Sequence, residues 1–269
     1  MFLRTIFLKN IRDKRMSMFW WGIGFFLLIF LITSIFPAIQ ESAPDLESYL
    51  ESLPEALTEA FGIGEAAALT TPSGFLNAEL YTLMLPIMIL IFTIGIGSTA
   101  IAGEEESGTL DLLLSNPVSR WRVVVEKFVA MTLSTFIIAS VIWLSLVIGA
   151  LVFDMDIGAG LLAAATTSSA LLGLTFGSVA LLAGCASGRK GLSIGVAVVI
   201  AAGSYLLYIL SKIVDSLESY ERLSLFFYNL DADPLTNGLK IQDAAVFIAV
   251  IIVLLVLSII TFSRRDLSV

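Results

Sequence analysis

The sequence reads as an all-α, polytopic membrane protein with six transmembrane helices, and three observations carry that reading. Apolar residues make up 58 % of the chain and charged residues only 14 %, whereas a soluble domain has roughly a quarter charged. Six apolar runs cover residues 18–39, 80–102, 128–153, 160–186, 192–213 and 244–262. Each reaches about 20 residues or more, enough at ~1.5 Å per residue to cross a hydrocarbon core of roughly 30 Å. Lys and Arg also collect in alternate connections, as the positive-inside rule requires.

With the N-terminus inside, the cytoplasmic bases are Arg4, Lys9, Arg12, Lys14, Arg15, Arg120, Arg122, Lys127, Arg189, Lys190, Arg264 and Arg265. Only Lys212, Arg222 and Lys240 face out. Both termini are therefore expected in the cytoplasm, and the acidity behind the net charge of −8 is expected on the outer face. A solvated, base-poor exterior accounts for that acidity; attraction of cations is the alternative. Histidine is absent and Cys185 is the lone cysteine. An intrachain disulfide, a cysteine metal cluster and a His-containing zinc site are thereby excluded. Ser/His and Cys/His dyads go with them, so no catalytic residue is expected in this chain.

Residues 1–15 place Leu3, Phe7 and Ile11 on one helical stripe, with Arg4, Lys9, Arg12, Lys14 and Arg15 suited to lipid headgroups. An amphipathic helix along the inner leaflet is expected, turning into the first span near Trp20 and Trp21. The run at 18–39 is longer than the ~7–15 apolar residues of a signal peptide, and no small-x-small cleavage site follows it. The outer segment 40–79 carries Leu46, Tyr49, Leu50, Leu53, Leu57 and Phe61 at helical spacing, with Glu47, Glu51, Glu55 and Glu59 mostly opposite. It reads as short amphipathic helices interrupted near Pro54, either a structural lid or a substrate gate.

The second span gives way at Gly103 to Glu104, Glu105, Glu106, Ser107 and Gly108. In the connection 103–127, Leu110, Leu113 and Leu114 follow at helical spacing. Asn116 and Pro117 end that short helix, because the residue before proline disfavours the α region. Ser119 is placed to cap the next helix, with Arg120, Trp121, Arg122 and Lys127 as interfacial anchors. Leucines on a cytosolic helix need cover from the inner leaflet or from a partner protein.

In the fourth run, Thr166, Thr167, Ser168, Ser169, Thr175 and Ser178 stand among small residues, and Gly173 and Gly177 have GxxxG spacing. Such residues serve close helix packing, or line a pathway between two subunits. No acid or base lies deep in any run; Glu79, Lys127 and Lys212 fall at the ends. Ion-coupled transporters use buried ionisable groups, so the driving energy is expected from elsewhere.

At Gly103, Glu104, Glu105, Gly108, Thr109, Leu110, Leu113, Leu114, Pro117, Val118, Ser119 and Arg120 the chain resembles the permease subunits of ABC type 2 (ABC-2) exporters. These positions match that family's loop signature in order and between the corresponding spans. The six-span layout and the N-terminal helix extend the resemblance over nearly the whole chain, and the long outer segment 40–79 departs from it. The resemblance implies that the loop holds a coupling helix docking on a cytosolic ABC ATPase, present in two copies. The coupling interface would comprise Gly103 to Glu106, Gly108, Thr109, Leu110, Leu113, Leu114, Pro117, Ser119 and Arg120. It also implies that a second permease copy or homologue faces this one in a prokaryotic cell membrane. The phosphate-binding pattern G-x-x-x-x-G-K-S/T does not occur in the sequence. ATP and Mg²⁺ are thus expected on the partner, with no cofactor here, no nucleic acid, and membrane lipids as the remaining partner. A channel and a non-transporting scaffold or regulatory subunit are the alternatives.

Overall fold

The computed structural model describes residues 3–42, 70–110 and 119–265. Six helices are long and apolar enough to cross a membrane, and no β-strand occurs among the described residues. They are α1 (Leu3–Glu41), α2 (Met84–Ser98), α3 (Arg120–Val152), α4 (Ala159–Ser187), α5 (Lys190–Ile213) and α6 (Ile241–Arg264). A π-helical turn, Thr99–Gly103, and a last helical turn, Glu104–Glu106, prolong α2. The bundle therefore has a basal end, which carries the start of α1 and the end of α6, and a distal end.

Most of the helices overrun the apolar runs because backbone hydrogen bonding continues past the residues at which hydropathy falls, whereas α2 starts at Met84 and not at Leu80, since a separate π-helical turn, Asn77–Tyr81, precedes it. The third helix starts at Arg120, directly after the N-cap position expected at Ser119, so residues 120–127 of the connection prolong the apolar run 128–153 as helix. The expected turn ahead of the first span is also missing. Between Leu3 and Trp21 there is neither proline nor glycine to break the hydrogen-bond ladder, and α1 runs without interruption. Its 39 residues extend about 58 Å, well beyond a hydrocarbon core. Trp21 packs edge-on against Phe92 of α2, with ring centroids 5.7 Å apart.

Phe25, Ile29, Ile32 and Phe36 form the buried stripe of α1, spaced three or four residues apart as one helical face requires. α3 is the main helix against which α1 packs. There Gly149 faces Thr33, whose hydroxyl and methyl groups occupy the space a side chain would need. α4 lies at the centre of the bundle, touching α2, α3, α5 and α6. Small residues make this possible: Gly97 of α2 sits directly against the carbonyl of Gly177, and Gly173 receives Ile89. The GxxxG pair thus lies at a close crossing of α2 and α4.

The chain between α5 and α6 differs from a simple outer loop. Phe226 packs on Phe176 of α4 at 5.9 Å and on Tyr205 of α5 at 5.1 Å. Phe176 lies about 25 Å along α4 from its distal start at Ala159, so this segment re-enters the bundle. Asn229 accepts a hydrogen bond from Ser168 Oγ at 2.8 Å, and Leu235 is fully buried. A second distal segment, Pro72–Leu76, brings Phe75 against Phe36 at 5.4 Å. Asn77 Nδ2 joins the two segments by donating to Asp233 Oδ1 at 2.7 Å. Of the outer segment 40–79, in which short amphipathic helices are expected, residues 43–69 lie outside the described residues.

Candidate functional site

The basal end is organised by three consecutive carboxylates. The π-helical turn widens the end of α2 and delivers Glu104, Glu105 and Glu106 to its last turn, a local departure from α-helix of a kind found often at functional sites. Residues adjacent on a helix point about 100° apart, so the three acids face three neighbours. Glu104 Oε1 pairs with Lys127 Nζ of α3 at 2.6 Å. Glu105 takes the Arg265 guanidinium with both oxygens, Nη1 donating to Oε2 at 3.0 Å and Nη2 to Oε1. Glu106 Oε1 accepts the backbone N–H of Lys190, the first residue of α5, at 2.8 Å.

The neighbours are tied together as well. Arg265 Nη1 donates to the carbonyl of Cys185 in α4 at 3.3 Å, and Arg120 Nη1 donates to the carbonyl of Arg265 at 2.6 Å. Lys14 of α1 donates to Thr99 Oγ1 at 3.3 Å. Gly188, which ends α4, has a φ of +65°, and its bare Cα faces the Arg265 and Glu105 side chains.

Beyond the acids, Gly108 turns the chain with a φ of +68°, a conformation that glycine adopts without strain. Thr109 Oγ1 donates to the Glu104 carbonyl at 3.2 Å and also to the Glu104 carboxylate. Leu110 is only 2 % exposed. It fits into a basal apolar cluster with Ile101, Val123, Val124, Leu181, Cys185 and Phe262.

Several residues expected on a docking face therefore hold partners within the chain: Glu104, Glu105, Glu106, Thr109, Leu110 and Arg120. Leu113, Leu114 and Pro117 lie outside the described residues. Ser119 occupies the N-cap position of α3 with extended backbone angles, but its side chain makes no capping hydrogen bond. Gly103 closes the π-helical turn, with the Thr99 side chain against it. The sequence marks Lys127 as an interfacial anchor and Arg265 and Lys190 as cytoplasmic bases, but nothing in it pairs any of them with the three acids. The signal present was an acidic triplet facing a basic pair after the last apolar run.

The hydroxyls of α4 divide by depth. Thr175 and Ser178 donate to the carbonyls of Leu171 and Leu174 at 2.8 and 2.7 Å, satisfied within their own helix. Thr166 shares a 2.9 Å hydrogen bond with the Tyr81 hydroxyl. Ser168 holds Asn229, while Ser169 Oγ is buried with no hydrogen-bond partner among the described residues. Thr167 lines a cleft of about 240 Å³ beside Ser140 and Trp143. A larger cleft of about 550 Å³ runs between α2 and α5, walled by Leu83, Ile87, Ile91, Ile94, Val198 and Tyr205. It is almost wholly apolar and meets none of the six hydroxyls.

Comparison with known proteins adds one finding. None of the curated proteins matches the chain. The family described as "ABC-2 family transporter protein" matches residues 4–267. That span includes all six apolar helices and the acidic turn, so the chain belongs to the ABC-2 transporter family, the membrane-spanning permease component of ABC transporters.

Proposed function

We propose that the chain is the permease subunit of an ATP-driven exporter, working as a dimer docked on two copies of a separate cytosolic ATPase. The observation that carries this reading is the anchorage of the turn after α2. Through Lys127, Arg265, Lys190 and the seat of Leu110, that turn is attached to α3, α4, α5 and α6. A force applied to residues 111–118 therefore acts on the bundle and not on a slack loop. The basal end is cytoplasmic in this reading, as the distribution of Lys and Arg requires, and the membrane is that of a prokaryotic cell.

ATP and Mg²⁺ bind the partner, and the permease responds only to the difference in the partner's affinity for its two conformations. The α2–α5 cleft supports an amphiphilic cargo, because an apolar wall rewards apolar surface and offers little to a bare ion. A channel through one copy is not favoured, since α4 fills the centre of the bundle.

The docking contact falls to Leu113 and Leu114, because Leu110 is consumed by the chain's own core. Replacing both with Asp should abolish copurification of an ATPase with the tagged permease while membrane insertion persists. Undiminished copurification would overturn the coupling assignment. Thiol labelling of a cysteine at position 113 from the cytoplasmic side alone tests the orientation.

A further inference from the structure

The acidic triplet touches three helices, and Arg265 ties more of them together than any of the acids does. Its guanidinium holds Glu105 at the end of α2 and the Cys185 carbonyl in α4, while its own carbonyl receives Arg120 at the start of α3. Arg265 itself immediately follows α6. The turn joining α4 to α5 is fitted around this contact, since a side chain on Gly188 would occupy the space of the Arg265 and Glu105 groups. Arg265 and Glu105 keep 19 and 25 % of their side-chain exposure, so the pair lies at the edge of the apolar cluster and not inside it.

We infer that Arg265 is a positioning residue of the transport cycle, clasping the coupling turn to α6 so that motion of the turn also reaches the last span. This extends the coupling reading above and rests on it. The planar guanidinium suits the role because its two-pronged grip on a carboxylate fixes orientation as well as distance, which an ammonium does not. Glu104 and Glu106 carry the same motion to α3 and α5 through Lys127 and the Lys190 amide. In this arrangement the triplet divides one displacement among three helices and is not itself a docking face.

The test uses the tagged permease purified with its ATPase from native membranes. Single cysteines are introduced at Gln242, in the first turn of α6, and at Thr82, just ahead of α2; both positions are exposed, whereas the native Cys185 is buried and stays in place. Labelling by a water-soluble maleimide is followed with and without ATP plus vanadate. Arg265→Ala should retain the ATPase and the nucleotide-induced change at position 82, and lose the change at position 242. The charge exchange Glu105→Arg with Arg265→Glu should restore it, and Arg265→Lys should restore it less fully. If Arg265→Ala keeps the response at 242, or if the exchange variant purifies as a folded complex without regaining it, the clasp has no role in transmission. If the unaltered permease brings down no ATPase at all, the coupling reading fails first and takes this inference with it.

Discussion

Lys127 Nζ lies 2.6 Å from Glu104 Oε1, with 4 % of the lysine side chain and 21 % of the glutamate exposed. An ion pair this dry is costly to assemble and more costly to break, because removing one partner leaves the other's largely buried charge short of its compensation. Lys127→Met should destabilise the protein by about 3 kcal/mol, the low end for such pairs because Glu104 retains some access to water. The double variant Glu104→Gln/Lys127→Met should recover much of that loss. Thermal unfolding in detergent of the two single variants and the double variant measures the coupling. A double variant no more stable than the worse single one would mean that the pair is not energetically linked.

Ser168 and Ser169 are neighbours with opposite prospects. Ser168 Oγ donates to Asn229 Oδ1 at 2.8 Å and holds the re-entrant segment, whereas Ser169 Oγ is buried with no partner among the described residues. Removing one partner of a buried hydrogen bond costs about 1–3 kcal/mol, while removing an already unsatisfied hydroxyl costs little. Ser168→Ala should therefore lower the midpoint of thermal unfolding, and Ser169→Ala should leave it unchanged or raise it. Equal losses from both would mean that Ser169 finds a partner in the assembled protein.

Leu110 separates folding from docking. Its side chain is 2 % exposed among Ile101, Val123 and Phe262, so a carboxylate there would be buried without a counter-charge. Leu110→Asp should reduce the folded yield and the resistance to protease. Leu113→Asp with Leu114→Asp should leave both intact and affect only ATPase binding. Folded Leu110→Asp protein at normal yield would contradict the basal cluster.

The six spans were legible because hydropathy alone specifies them: a run such as 244–262 has no alternative solvent to lipid. The family was legible from Gly103 to Arg120, where residue types and order coincide. The partners of the acidic triplet were not, since Glu105 and Arg265 are 160 residues apart and nothing in local periodicity links them. The re-entrant segment was hidden for a related reason. Leu225, Phe226, Phe227 and Tyr228 are apolar but too few to span a bilayer, and only packing against Phe176 reveals where they go. The continuous α1 was missed because basic residues ahead of a span suggest a headgroup-level turn, while the backbone meets no residue that would force one.

Glycines give the most direct measure of how the bundle closes, because the same substitution meets three different surroundings. At Gly203, in the interior of α5, an added methyl group meets nothing within 4 Å, so Gly203→Ala should be neutral or stabilising by up to about 1 kcal/mol through backbone entropy. At Gly188 the methyl would meet the Arg265–Glu105 pair on a backbone with φ +65°; the left-handed conformation alone costs about 1–2 kcal/mol. At Gly97 it would strike the carbonyl of Gly177, which as backbone cannot rotate aside, so α2 and α4 must separate and lose contacts along the crossing. The expected order of stability is therefore Gly203→Ala above the unaltered protein or equal to it, then Gly188→Ala, then Gly97→Ala. Thermal unfolding of the three variants in one detergent ranks them. A Gly97→Ala protein as stable as Gly203→Ala would mean that α2 and α4 do not meet at Gly97 and Gly177, and the central position of α4 would have to be abandoned.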